Sequence, residues 1–308
     1  VEFSVSGVTV APWLPPLAAF AISFFTSMGG VSGAFLLLPF QMSVLGYTAP
    51  SVSATNHLFN IVAIPSGVWR YIREGRMVWP LTWVVVAATL PGVLIGAVVR
   101  VRLLPDPVRF KLFAAAVLLY IGFRMVRDLV SSRSRKPGGP SAEERFQKLV
   151  TAHPRGAEDG RPDLPRVRML RFGLGRIEYS FYGETYGFST VGIFALAFAV
   201  GIVGGIYGIG GGAIMAPFFV SVFSLPIYTV AGAALMGTLV TSVAGVVIFS
   251  LMGIGPDWLL GMLFGLGGAA GMYCGARVQK FVPARAIKVM LCVVILVTAV
   301  RYVLEFFG

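Results

Sequence analysis

Eight long apolar runs, nearly free of charge, alternate along the chain with short polar or basic stretches. They are Trp13 to Leu45, Val52 to Trp69, Val78 to Val99, Val108 to Phe123, Phe188 to Phe223, Ile227 to Ile254, Trp258 to Ala276 and Ala286 to Val300. Several are long enough to cross a hydrocarbon core roughly 30 Å thick as single helices, which predicts an all-α polytopic membrane protein. A membrane barrel would instead show short segments of alternating polarity. Two runs are too long for one crossing: Phe188 to Phe223 has 36 residues, about 54 Å as a straight helix, and Trp13 to Leu45 is nearly as long. Each contains a glycine cluster followed by a proline. The pattern predicts broken or re-entrant helices, interrupted at Met28 to Ala34 and at Tyr207 to Ala213, because glycine in a helix interior costs about 1 kcal/mol.

The apolar pattern stops between Val130 and Arg168, where "SSRSRKPGGPSAEER" and "HPRGAEDGRPDLPR" read as a largely disordered linker, with helical character only at Glu143 to Val150. After it the period changes to two. Ile177, Tyr179 and Phe181 point one way and Gly183-Glu184 makes a turn, which predicts a short β-hairpin under the membrane domain. The resulting division is a first membrane repeat over 13–130, a linker over 131–187 with the hairpin near 171–188, and a second membrane repeat over 188–307.

The two apolar blocks repeat one another. Gly30 to Ala34 with Pro39-Phe40 aligns without gaps on Gly208 to Gly212 with Pro217-Phe218, an offset of 178 (208 − 30). Within a residue of that offset, Gly92 matches Gly271, Gly96-Ala97 matches Gly275-Ala276, and Pro105 matches Pro283. Two homologous halves are a common transporter architecture. The linker, with Arg133, Arg135, Lys136 and Arg145 among its basic residues, belongs in the cytoplasm. Counting spans outward puts Arg70 to Arg76 inside and Arg100 to Lys111 outside. It puts Arg277 to Lys288 inside only if Phe188 to Phe223 enters the membrane and returns. With Trp13 to Leu45 treated alike, each half has five elements, so the halves are inverted repeats with both termini outside. The basic stretch at Arg100 and Arg102 counts against this topology.

Composition agrees with a membrane protein: 56% of residues are hydrophobic and 12% charged, and the mean hydropathy is +0.83. The net charge of +12 sits mostly between the spans, as positive-inside topology and attraction to anionic headgroups require, and it does not point to nucleic acid. Cys274 and Cys292 lie on different apolar runs without metal or redox spacing. The first apolar run is too long for a signal peptide and lacks a basic segment before it, so it is expected to remain as structure.

Each break begins a half-helix whose first amides are free and whose dipole end is positive, so two such ends near the membrane midplane make an anion site without lysine or arginine. The competing reading is close helix packing, and Gly265, Gly267, Gly268, Gly271 and Gly275 are assigned to packing alone. A polar cluster follows each break: Ser53, Thr55, Asn56, His57 and Asn60 in one half, and Gly237, Thr238, Thr241 and Ser242 in the other. At helical spacing Asn56 shares a face with Asn60, and Thr238 with Thr241 and Ser242. Amides and hydroxyls are the donors a small oxyanion needs, although hydroxyls also bond back to their own helix. His57 is the one ionisable side chain expected deep in the membrane, either for proton coupling or anion contact, or as a neutral ring bonded to a carbonyl. No metal-ligand cluster, buried carboxylate pair or nucleophile with a base is present, and the glycine run lacks the Gly-Lys-Ser/Thr ending of a phosphate loop. An enzyme and a cofactor are therefore not expected.

Phe20 to Val126 and Phe194 to Tyr302 resemble the sulfite exporter TauE/SafE-like membrane permeases. "GIGGGAIMAP" (Gly208 to Pro217) carries the likeness most specifically, with "GVSGAFLLLP" (Gly30 to Pro39) as a weaker copy. The resemblance implies transport of small sulfur-containing or carboxylate anions, such as sulfite, sulfonates or sulfoacetate, across the bacterial inner (plasma) membrane. Val31-Ser32 in place of glycines and the long basic linker depart from the pattern. The expected substrate site is Gly30, Ser32 and Gly33 with Gly208, Gly210, Gly211 and Gly212, joined by Thr55, Asn56, His57, Thr238 and Thr241. The expected partners are a small anion and the lipid bilayer, with homo-oligomerisation left open. A passive anion channel, or a non-transporting scaffold or sensor working through the linker, are the alternatives.

Overall fold

Helices form where apolar residues run without charge, and they end where glycine or proline interrupts them. A computed structural model of the chain describes residues 1–28, 32–73, 75–134, 167–181, 184–212, 214–215, 218–219, 222–223, 225–278 and 284–307. The first half contains α1 (Leu14–Met28), α2 (Ala34–Ser43), α3 (Ser51–Ala63), α4 (Pro65–Arg73), α5 (Trp79–Arg102) and α6 (Pro107–Ser134). The second contains α7 (Thr190–Tyr207), α8 (Ile227–Leu251), α9 (Trp258–Val278) and α10 (Ala284–Phe307). Among the described residues, four helices are long and apolar enough to cross a membrane, α5, α7, α8 and α9, while α1 and α2 are shorter apolar helices. The long run at Trp13 to Leu45 is thus two helices, and α7 stops at Tyr207, where the glycines predict an interruption. The apolar run at Val52 to Trp69 is also divided, because Pro65 starts a new helix without an amide to continue the old one.

The strand period holds, with one strand more than expected. β1 (Arg168–Arg171), β2 (Arg176–Phe181) and β3 (Glu184–Ser189) form an antiparallel sheet in the order β1-β2-β3. Ile177, Tyr179 and Phe181 are buried on its inner face. The Tyr179 hydroxyl pairs with Thr229 Oγ1 near the start of α8 at 2.8 Å, and burial pushes its phenol above the usual value, so it serves as a neutral hydroxyl. Val167 N donates to Gly75 O at 3.1 Å. The sheet therefore sits at the end of the bundle where α4 turns into α5 and α8 begins. The expected hairpin turn residue Gly183 and the linker helix at 143–150 lie outside the described residues.

Helix crossings are set by small residues. α1 and α9 run parallel: Gly267 faces Pro16, Gly271 faces Phe20 and Gly275 faces Phe24, each against backbone. α5 and α7 run parallel in the same manner, a Cβ on Gly201 meeting Thr89 O at 2.7 Å and one on Gly205 meeting Val93 O at 2.6 Å. No residue larger than glycine permits such close backbone contact. Two other neighbours run antiparallel. His57 and Asn60 of α3 meet Gly245 and Ser242 of α8. In α6, Lys111 pairs with Glu305 of α10 at 2.6 Å, while Gly122 lies against Leu296. At the end opposite the sheet, the Asp257 carboxylate caps Leu260 N of α9 and accepts from Ser6 N and Oγ, holding down an N-terminal segment with Phe3 and Val8 buried.

Candidate functional site

α3 is buried from Ser51 through Asn60, polar residues included, because its polar side chains serve backbone that no helix satisfies. α7 ends with Gly208 in the left-handed conformation (φ 80°), its N–H returning to Gly204 O, and Gly210 follows at φ 76°. The end of α7 and the coil after it leave carbonyls that need donors from elsewhere, since unpaired backbone is not tolerated in a lipid environment. One face of α3 supplies them. Ser53 Oγ donates to Ile206 O at 3.3 Å, Asn56 Nδ2 to Gly208 O at 3.0 Å, and Asn60 Nδ2 to Ile209 O at 3.0 Å.

The same two asparagines hold the first break. Asn56 Nδ2 also donates to Ala34 O at 3.0 Å, and Asn60 Oδ1 accepts from Ser32 Oγ at 2.9 Å. Ser32 Oγ in turn accepts from Ala34 N at 3.3 Å, capping α2. Gln41 Nε2 donates to Asn56 Oδ1 at 3.3 Å. Asn56 and Asn60, one helical turn apart, therefore tie both interruptions to one helix.

α2 has a second dependence on the other half. Pro39 lacks an N–H, so Phe35 O, four residues before it, has no helical donor. The Tyr207 hydroxyl donates to Phe35 O at 3.0 Å. Tyr302 donates to Pro39 O at 3.3 Å and accepts from Ser43 Oγ at 3.1 Å.

α8 closes the other side of the second break. Gly211 N donates to Thr241 Oγ1 at 3.1 Å, and Thr241 Oγ1 donates to Gly237 O at 2.6 Å. Thr238 Oγ1 bonds back to Ala234 O at 2.9 Å, as an embedded threonine commonly does. A Cβ on Gly208 would stand 2.6 Å from Ser53 Cα, and one on Gly210 would stand 2.9 Å from Thr238 Cγ2. Ser242 Oγ accepts from Asn60 Nδ2 at 3.2 Å and lies 3.3 Å from His57 Nδ1. His57 Nε2 is buried against Gly245 without a hydrogen-bond partner.

The family model for sulfite exporter TauE/SafE matches residues 16–302, taking in both breaks, α3 and every helix after them. This chain belongs to the sulfite exporter TauE/SafE family. Comparison with curated proteins and with solved structures gives no match. Membership makes the chain a membrane transporter of the kind that moves sulfur anions such as sulfite.

In this TauE/SafE chain most predicted site residues converge. Ser32, Gly33, Asn56, His57, Gly208, Gly210, Gly211, Thr238 and Thr241 surround the two interruptions. Gly212 lies against Thr238 of α8. Gly30 lies outside the described residues. Thr55 faces away: its hydroxyl bonds Ser51 O, meets Tyr47 OH at 3.1 Å and accepts from Asp257 N at 2.9 Å, near the end where the N-terminal segment sits.

Asn60 and Ser242 belong to the two polar clusters of the sequence but not to the expected site, and Gln41 and Tyr207 belong to neither. Gln41 had a readable signal, as the sole side-chain amide in a ten-residue helix that is apolar but for it and the terminal Ser43. The topology count also needs a correction. Arg100 is not in an outside loop but in the last turn of α5 and fully buried, its guanidinium stacked 3.7 Å from the Phe110 centroid, and Lys111 belongs to α6. The turn between these helices is only 103–106, so most of the charge that counted against the topology is not in a loop. His57 is thus not the only ionisable side chain buried in the bundle.

Proposed function

We propose that this chain is a secondary transporter of small sulfur-containing anions such as sulfite, sulfonates or sulfoacetate in the bacterial inner membrane. The anion would bind between the two interrupted segments, at the start of α2 and at Gly208 to Gly212. The observation that carries this reading is the pair Asn56 and Asn60, whose side chains meet both interruptions from one buried helix face, Asn56 donating to each and Asn60 donating to the second while accepting from Ser32 at the first. Donors of this type suit an oxyanion. Ala34 N and Gly211 N now hold the hydroxyls of Ser32 and Thr241, which occupy positions an anion oxygen would take.

Alternating access by rocking of two inverted halves fits the helix directions. The sequence offset matches α3 with α8 and α6 with α10, and both pairs run antiparallel where they touch, as a twofold axis in the membrane plane requires. The test is flux of labelled sulfite in proteoliposomes of the purified protein. A transporter gives saturable uptake and counterflow stimulated by unlabelled sulfite inside. Linear, non-saturating flux without counterflow would replace it with a channel, and no flux of sulfite or any sulfonate would overturn the reading.

A further inference from the structure

Arg100 is a buried cation that neither packing nor the break geometry explains. Its side chain has no exposure to solvent. Nε donates to Ser53 Oγ at 3.4 Å, Nη1 donates to Leu104 O, and Nη2 is buried with no hydrogen-bond partner. A guanidinium stays charged under physiological conditions, and burying one without a counter-charge is costly. The carboxylates of Asp106, Asp257 and Glu305, at this end of the bundle, are engaged elsewhere. Asp106 caps Val108 and lies 3.7 Å from Arg109, Asp257 is held by Ser6 and Leu260, and Glu305 pairs with Lys111 and Arg301. Phe110 covers one face of the guanidinium but supplies no negative charge.

Arg100 is also one side chain away from the second interruption. Ser53, which accepts from Arg100 Nε, donates to Ile206 O and packs its backbone against Gly208. The Arg100 head group therefore lies between the break and the 103–106 turn that marks one face of the bundle. Offsets of 178 and 179, which pair Pro105 with Pro283 and Gly96 with Gly275, set Arg100 against Val278 or Gln279.

We propose that Arg100, with the Ser53 hydroxyl, is an anion subsite that selects for charge and receives the transported oxyanion as it moves between the second break and the face at 103–106. The unpaired Nη2 is the donor it would use. This inference rests on the transport reading.

The experiment compares wild type, Arg100→Gln, Arg100→Lys and Ser53→Ala in proteoliposomes, with labelled sulfite flux and with melting in detergent with and without sulfite. If wild type carries no sulfite, the transport reading itself fails, whatever Arg100 does. With wild-type flux established, Arg100→Gln raises the KM for sulfite about tenfold or more, as loss of a buried charged donor does. It also loses the sulfite-dependent rise in melting temperature, yet melts no lower than wild type without sulfite, because an uncompensated buried charge has been removed. Arg100→Lys keeps the charge and stays closer to wild type in KM than Arg100→Gln. Ser53→Ala raises KM severalfold. An Arg100→Gln protein with wild-type KM and wild-type stabilisation by sulfite overturns the proposal. So does one that cannot be isolated folded or melts far below wild type without sulfite, since that assigns Arg100 a structural role. A lysine variant as impaired as the glutamine variant, or Ser53→Ala with wild-type KM, overturns it as well.

Discussion

Asn60, like Asn56, makes three side-chain hydrogen bonds at the two breaks. It donates to Ile209 O and Ser242 Oγ and accepts from Ser32 Oγ, all in a buried setting. Replacing it with leucine keeps a comparable volume but leaves these partners unpaired, at about 1–3 kcal/mol for each buried group. Asn60→Leu is expected to lower the melting temperature clearly and to reduce sulfite flux to background, whereas a variant with normal flux would remove Asn60 from the site. His57 gives the opposite expectation. Its Nδ1 meets a hydroxyl, its Nε2 lies against Gly245, and no carboxylate among the described residues pairs with it, an arrangement suited to a neutral ring. His57→Asn should therefore leave the pH profile of transport unchanged in shape, and a flattened profile would restore the proton-coupling role. In the sequence both residues look alike, as polar side chains in an apolar run. Both meet Ser242 of α8, 182 and 185 residues away, and what separates them is that Asn60 also bonds Ile209 O and Ser32 Oγ at the two breaks.

At the level of elements, α2 shows how one half completes the other. Pro39 removes the donor for Phe35 O, and Tyr207 replaces it from the end of α7. Tyr207→Phe leaves that carbonyl unpaired and is expected to cost about 1–3 kcal/mol. Pro39→Ala in the same background returns an amide to the helix and should recover most of the loss, so a thermal-melt double-mutant cycle reads the coupling directly. Additive effects would show that Tyr207 and Pro39 act separately. The broken segments were legible because length and glycine content are local properties of the chain, and the crossing glycines were legible because Gly92 and Gly96 recur as Gly271 and Gly275. The division of the Val52 to Trp69 run at Pro65, the third strand β1 and the burial of Arg100 were not. An arginine at a helix end looks the same in sequence whether it turns outward to water or inward onto Phe110. Packing across α5, α6 and α3 decides that, and no local pattern records it.

For the whole molecule, the sheet has its own contacts with the helices. The sheet is fastened by Val167 to Gly75 and by Tyr179 to Thr229, both outside 135–166. Joining Ser134 to Val167 through a short glycine-serine spacer is expected to retain saturable sulfite flux, measured in proteoliposomes. Complete loss of flux in a correctly inserted deletion would instead make the linker part of the mechanism. On the transport reading, the asparagine bridge sets a further condition on the whole cycle. The amide protons of Asn56 and Asn60 are already given to Ala34 O, Gly208 O and Ile209 O. An arriving oxyanion seeks those same protons and cannot bond to the carbonyls it displaces. The backbone of the two breaks thus acts as a tethered competitive inhibitor of its own substrate, and the measured affinity for any anion is its intrinsic affinity scaled down by the fraction of molecules in which that inhibitor has let go.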